Sequence, residues 1–210
     1  MNPPVVIIPV KSGEKKSRLS GVLGRGQRER FAGLLLADAL GALRGAGFLR
    51  SSYVVSSDES MLSLAARLGS RTVKEPEDMG VNSAVARGLD AVRGNPQVLV
   101  IPADLPLLRA SELKHMARIS GSGAEVAIAP SLAFDGTNAL LFEKAINPAL
   151  SYDRDSFWNH LEGFGGQGLR VAVCTEPGVM FDVDSPEDLR LLARSSSQRP
   201  SAEFARRVLG

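Results

Sequence analysis

Short β-branched runs recur along this chain with helical stretches between them, and that alternation restricts the fold more than any other feature. Val5 to Pro9, Tyr53 to Ser56, Gln97 to Ile101, Glu125 to Ala129, Asn138 to Phe142 and Leu169 to Val173 read as strands. Phe31 to Arg44 is apolar at Phe31, Leu35, Leu36, Leu40 and Leu43, and Val81 to Val92 is apolar at Val81, Val85, Leu89 and Val92. Both spacings predict helices with one buried stripe. Strand then helix, repeated, predicts an α/β fold: an open, mostly parallel central sheet flanked by helices. Ligands of such sheets bind beyond the carboxyl ends of the strands. Residues just after strands are therefore the first place to look for chemistry.

The 210 residues suit one domain, because a chain of this size buries roughly 70% of the surface it exposes when unfolded. Residues 1–194 are read as that domain. Ser185-Pro186-Glu187-Asp188 opens its last clear helix, which is expected to run to about Arg194. Residues 195–210 are read as a linker, flexible over Ser195 to Ser201, followed by a short C-terminal helix or tail whose Phe204, Val208 and Leu209 dock back. No apolar run approaches the ~20 residues of a membrane helix. Asn2-Pro3-Pro4 leads directly into a strand without a charged leader, so a cytoplasmic protein is expected. One cysteine and two histidines exclude an internal disulfide and a Cys/His zinc cage, leaving oxygen ligands for any metal. A net charge of +2 lacks the one-sided basic balance of a nucleic-acid binder. Neither nucleic acid nor membrane is expected as a partner, and a homodimer is left open.

Four stretches have the composition of a site. The first, Lys11-Ser12-Gly13-Glu14-Lys15-Lys16-Ser17-Arg18-Leu19, sets four cations against one acid directly after the first strand. Ammonium, guanidinium and backbone N–H donors in such a loop can surround a triphosphate, although a solvated charged turn has the same composition. The spacing is neither that of a Walker P-loop nor that of a dinucleotide fingerprint. The second stretch places Asp104 after the apolar strand Val98-Leu99-Val100-Ile101, where a carboxylate must be paired, cap a turn or hold a cation. In the third, Phe181-Asp182-Val183-Asp184, the two acids alternate along an extended segment and point to opposite sides. Asp184, beside a helix start, is the one expected to share a site with Asp104, and Asp182 is left structural or supporting. The fourth comprises Asp135-Gly136-Thr137-Asn138 and Tyr152-Asp153-Arg154-Asp155-Ser156-Phe157-Trp158-Asn159-His160, whose hydroxyls and amides could grip a phosphate or carboxylate. An ordinary turn and a helix cap by Asp155 or Ser156 would look alike, and His160 alone reads as a helix-face residue.

In this order, Lys16-Ser17-Arg18-Leu19, Asn82-Ser83-Ala84, Pro102-Ala103-Asp104-Leu105-Pro106-Leu107, Gly136-Thr137-Asn138-Ala139-Leu140, Ser156-Phe157 with His160, and Asp182-Val183-Asp184-Ser185-Pro186-Glu187-Asp188-Leu189 carry a family resemblance. The chain resembles the 2-phospho-L-lactate guanylyltransferases of the CofC and FbiD type, including phosphoenolpyruvate guanylyltransferases, which make an activated intermediate of coenzyme F-420. The resemblance runs from about Val5 to Arg194. It implies a single-domain, Rossmann-like, GT-A-type nucleotidyltransferase fold of the nucleotide-diphospho-sugar transferase kind. It also implies GTP, magnesium and a small phosphorylated carboxylic acid. Carried over by position, Asp104 and Asp184 would be catalytic magnesium ligands, and Lys16 and Arg18 catalytic contacts to the triphosphate. Lys11 and Asn82 join these two cations as nucleotide-binding residues, while Thr137, Asn138, Asp153 and Ser156 are the acceptor-binding set. Guanine recognition is sought among Glu75, Asp78 and Asn82. One departure stands out, since the family usually has glycine where this chain has Asp153. Its side chain is expected to point away from the acceptor phosphate, because a carboxylate within about 4 Å would repel it by several kcal/mol.

The chemistry implied is attack of the acceptor's phosphate on the α-phosphorus of GTP with departure of pyrophosphate. A phosphate with a second pKa of about 6 needs no strong general base near neutral pH. Two other readings are a molybdopterin or sugar-phosphate nucleotidyltransferase, and a non-catalytic nucleotide-binding regulator. The Lys-rich first loop, with one glycine, speaks against the former, and retention of both Asp104 and Asp184 against the latter.

Overall fold

A computed structural model describes residues 3–11, 16–94, 96–119 and 123–210. Readings that touch Asn2, Ser12, Gly13, Glu14 or Lys15 fall outside the described residues. Among the described residues seven strands form one sheet: β1 Val5–Pro9, β2 Ser52–Ser56, β3 Arg71–Lys74, β4 Gln97–Val100, β5 Val126–Pro130, β6 Thr137–Glu143 and β7 Val171–Val173. Their spatial order is β3-β2-β1-β4-β6-β5-β7. β6 pairs antiparallel with both β4 and β5, and every other pairing is parallel.

The helices are α1 Arg25–Ala46, α2 Glu59–Leu68, α3 Val81–Ala91, α4 Ala110–Ile119, α5 Ser156–Gly166, α6 Pro177–Met180, α7 Pro186–Arg194 and α8 Pro200–Leu209. Local chemistry accounts for their ends. Asp58 accepts from the amides of Ser60 and Met61 at the start of α2, and Gly69 closes that helix at φ 96°. At α7, Ser185 Oγ accepts from the Asp188 amide while the Asp188 carboxylate accepts from the Ser185 amide, with Pro186 in the first turn. That reciprocal cap was readable in the sequence.

Alternation along the central strands divides the core between the two faces of the sheet. Val6, Ile8, Leu99 and Leu141 pack with Leu36, Leu40 and Leu43 of α1, Met61 of α2 and Met116 of α4. Ile7, Val100, Ile128 and Phe142 face the other way, towards Val85 of α3 and Phe157 and Phe164 of α5. Contact there is close at Gly88, where a Cβ would lie 2.6 Å from Ile7 Cγ2. A third cluster joins α1, α7 and α8, and in it the rings of Phe31 and Phe204 stack at 5.5 Å.

The six strands read from the sequence all exist, the first with the ends expected and the others with ends shifted by at most two residues, and the sheet is mostly parallel as expected. β3 was not among them. It is an edge strand whose Arg71, Thr72 and Lys74 are exposed, so it has no apolar run to reveal it. The reversed direction of β6 was not anticipated either. Residues 131–136 are too short to carry a parallel crossover, which needs a dozen or more residues, so β5 and β6 form a hairpin. Its consequence is positional: the first residues of β6 lie at the edge where the parallel strands end. Residues 195–199, read as part of a flexible linker, make specific bonds. Arg199 donates to the carbonyls of Pro106 and Leu108, and Arg206 donates to those of Ser195 and Ser197.

Candidate active site

β1 and β4 are neighbours at the centre of the sheet, and the segments leaving their carboxyl ends meet. Beyond β1, Lys16 stands in the left-handed conformation with φ 52° and ψ 45°. The short 3-10 turn Ser17–Leu19 follows, and its fully buried Leu19 anchors the loop in the cluster of α1, α7 and α8. After β4 comes Asp104, whose carbonyl accepts from the amide of Val183, bringing the segment Phe181 to Asp184 alongside. The Asp184 amide is itself held by the Asp188 carboxylate at 3.1 Å.

These constraints place one ammonium between two carboxylates. Lys16 Nζ donates to Asp104 Oδ2 at 2.6 Å and to Asp184 Oδ1 at 2.8 Å. Arg18, at the surface, reaches Asp184 Oδ2 at 3.5 Å. Burial pulls the Lys16 ammonium towards neutrality, but Asp104 and Asp184 outweigh it and hold its pKa above the usual lysine value. Burial likewise opposes ionisation of Asp184, yet Lys16, then Arg18 and Lys11, hold its carboxyl below the usual range. All four residues expected to be catalytic are thus in one place, and Lys11 lies close enough for its charge to be felt.

Asp182 faces a different partner, as alternation along the segment requires. Its Oδ1 accepts from Asn138 Nδ2 at 3.1 Å, and the same amide nitrogen donates to the Met180 carbonyl at 2.9 Å. Burial first, then the charges of Asp104 and Asp184, push Asp182 up to about 6. The amide nitrogen of Asn138, a residue read as acceptor-binding, thus ties β6 to this acidic segment.

The donor chemistry suits a magnesium ion. Among the described residues no group of three or more His, Cys, Asp or Glu side chains is arranged as a metal cage. Magnesium does not require one, since it commonly takes one or two carboxylates and completes its shell with phosphate oxygens and water. Asp104 Oδ1 is buried with no hydrogen-bond partner among the described residues, an unfavourable state for a carboxylate oxygen unless a cation or substrate meets it.

A second polar cluster lies at the start of β6 and α5. Ser156 Oγ accepts from the Thr137 amide at 2.9 Å and donates to Thr137 Oγ1 at 3.3 Å. His160 Nδ1 lies 2.9 Å from Thr137 Oγ1, and His160 Nε2 accepts from the Ser151 amide at 3.0 Å. The His160 ring is buried, stacks on Phe164 and meets Tyr152 edge-on, and burial pushes its pKa down to about 4. Nearby, Asn82 of α3 donates through Nδ2 to Asp153 Oδ2 at 3.2 Å and accepts on Oδ1 from the Tyr152 amide at 2.8 Å. Asn82 and Asp153, which the sequence suggested for nucleotide and acceptor respectively, are bonded to each other. Glu75, just past β3, is buried beside Ser83 of α3, and burial together with Asp78 raises its pKa.

Two side chains bonded to these residues lie outside the site set read from the sequence. His160 reads as a helix-face residue because its spacing from Phe157 and Phe164 is that of any buried stripe; its bonds to Ser151 and Thr137 exist only after folding. Asp182, structural or supporting on the sequence reading, faces Asn138 and remains within electrostatic reach of Asp104 and Asp184.

The model of the family described as guanylyl transferase CofC like matches residues 4–209. A phosphoenolpyruvate guanylyltransferase of Rubrobacter xylanophilus is 38% identical over 192 residues, 90% of this chain and 93% of that protein. A 2-phospho-L-lactate guanylyltransferase of Methanocaldococcus infernus is 32% identical, over 90% of this chain and 82% of its own length. A 3-phospho-D-glycerate guanylyltransferase of Phenylobacterium zucineum is 30% identical, over 94% and 93% respectively. Among solved structures, a nucleotidyl transferase from Methanothermobacter shares the fold with TM-score 0.65 at 17% identity, covering 97% of this chain and 99% of its own.

Proposed function

The chain belongs to the family of CofC-like guanylyl transferases, and from that premise we propose that it joins GTP to a phosphorylated three-carbon acid with release of pyrophosphate. Its role is then the coenzyme F-420 pathway in which that family acts. The relatives carry the names of three such acids, phosphoenolpyruvate, 2-phospho-L-lactate and 3-phospho-D-glycerate. The observation that carries the reading is the Lys16 ammonium held between Asp104 and Asp184 at the carboxyl edge of the sheet.

In this mechanism two polyanions must be brought together, and charge must be taken up as it moves onto the leaving pyrophosphate. Lys16, Arg18 and Lys11 supply cations on the side where the triphosphate would lie. Asp104 and Asp184 would hold a magnesium ion, which when bound supplies neutralisation of phosphate oxygens. Lys16 then exchanges its carboxylate partners for phosphate oxygens, its ammonium staying protonated throughout. Thr137 and Ser156 meet the acid's anionic oxygens at the start of β6 and α5. Asp153, tied to Asn82, keeps its charge away from them. No residue needs to abstract a proton, because the attacking phosphate is already ionised near neutral pH.

The test is pyrophosphate release from GTP and magnesium with each of the three acids, the products being weighed by mass spectrometry. The expected result is acid-dependent release and a diphosphodiester between guanosine and the acid. Release with CTP and a sugar phosphate or a molybdopterin, and none with the three acids, would overturn the proposal. GTP binding without release under any of these conditions would favour a non-catalytic nucleotide-binding regulator.

A further inference from the structure

The hydrogens of the Thr137, Ser156 and His160 cluster can be counted. A backbone amide only donates, so the Ser151 N–H at 3.0 Å fixes His160 Nε2 as the unprotonated nitrogen. Burial disfavours the imidazolium, so the single ring proton sits on Nδ1 and is donated to Thr137 Oγ1. The Thr137 hydroxyl hydrogen therefore cannot be spent on the ring. Between Thr137 Oγ1 and Ser156 Oγ there is one hydrogen bond and there are two hydroxyl hydrogens. Ser156 donates its own to Thr137 Oγ1, so the Thr137 hydroxyl hydrogen is left over, and it has no acceptor among the described residues. With the opposite tautomer the ring would accept that hydrogen and none would remain. The cluster also lies at the N-terminus of α5, whose positive end favours an anion.

We infer that His160 is a positioning residue: its Nδ1–H holds the Thr137 and Ser156 pair with one hydroxyl hydrogen turned outward, to donate to an anionic oxygen of the acceptor acid. This rests on the proposed transfer to such an acid and adds a residue that never touches the substrate. The ring's contacts with Phe164 and Tyr152 keep its plane fixed, so donor direction and ring packing are separable by substitution.

His160→Phe keeps an aromatic ring and removes the donor; His160→Asn returns an N–H near the position of Nδ1. Loss of one oriented hydrogen bond corresponds to about tenfold, so His160→Phe should raise the acceptor's KM about tenfold while the KM of GTP stays unchanged. His160→Asn should recover part of that loss. In a Thr137→Val background His160→Phe should cause no further rise, since the two act through one hydroxyl. Additive effects of the two substitutions, or equal rises in both KM values, would overturn the inference while leaving the transferase reading intact. Should His160→Phe fail to fold, the wild-type protein still decides. With only two histidines in the chain, nitrogen-15 NMR can assign the ring, and a His160 protonated on Nε2 at neutral pH overturns the inference. Wild-type protein inactive with GTP and all three acids would overturn the functional reading and the inference with it.

Discussion

Replacing Lys16 by glutamine removes the cation that sits 2.6 Å from one carboxylate and 2.8 Å from another. Breaking a fully buried ion pair costs about 3–5 kcal/mol, whereas an exposed pair contributes about 0–1 kcal/mol. The Lys16 side chain is only 13% exposed, but those of Asp104 and Asp184 are 24% and 44% exposed, so solvent screens part of the loss. A cost of about 2–3 kcal/mol at pH 7 follows. For a chain of this length each kcal/mol shifts Tm by about 2–4 °C, giving a fall of roughly 4–12 °C. The sign with pH can be worked out for Asp184, whose folded pKa Lys16 helps to depress. That contribution is fully present above the unfolded aspartate value of about 3.9 and is lost as pH falls through the lower folded value. The deficit of the variant should therefore shrink below about pH 4. Magnesium supplies a second readout, because without the ammonium the two carboxylates are free to take it. Binding at 100 times Kd stabilises by about 2.7 kcal/mol, enough to restore most of the loss. Thermal unfolding with and without magnesium, in the absence of nucleotide, checks both points. An unchanged Tm in Lys16→Gln, or the same magnesium response in variant and wild type, would refute the picture of one cation holding this acidic pair.

Asp104→Asn and Asp184→Asn should each lower the turnover number by on the order of 10²–10³ while the fold, followed by circular dichroism, is retained; wild-type rates in either would remove that residue from the reaction. His160 has a folded pKa pushed down to about 4 against an unfolded 6.5. Its stabilisation is present above about pH 6.5 and lost as pH falls towards 4, so wild type should lose up to about 3 kcal/mol more than His160→Phe across that window in urea titrations. Equal losses would mean that the ring is already accessible to protons. Gly178→Ala would bring a Cβ 2.3 Å from Glu112 Oε2 and 2.5 Å from the Leu107 carbonyl. It should destabilise by about 1–3 kcal/mol and disturb the bond from the Gly178 amide to Glu112 Oε1; an unaltered urea midpoint would contradict that packing.

The alternation of buried runs and helical stripes was enough to predict an α/β sheet, since Val6, Ile7 and Ile8 have no stable place except between two layers of helices. Asp104 was legible because a carboxylate at the end of such a strand demands a partner, and the start of α7 because Ser185, Pro186 and Asp188 form a local cap. Those signals lie within a few residues of one another along the chain. What depends on contacts between distant residues was not legible. β3 is held by pairing with β2 rather than by an apolar run of its own. The direction of β6, which decides that Thr137 and Asn138 reach the carboxyl edge, follows from the length of a connection rather than from any residue type. Asn82 and Asp153 are 71 positions apart and meet because α3 and the segment before α5 pack on the same face of the sheet. Lys16 reaches Asp104 and Asp184 across 88 and 168 positions, and His160 takes its tautomer from the Ser151 amide. Sequence chemistry named most of the groups in the site, but their partners, and so their charges and proton positions, were decided by tertiary packing, because hydrogen bonds and ion pairs act only over a few ångströms of space.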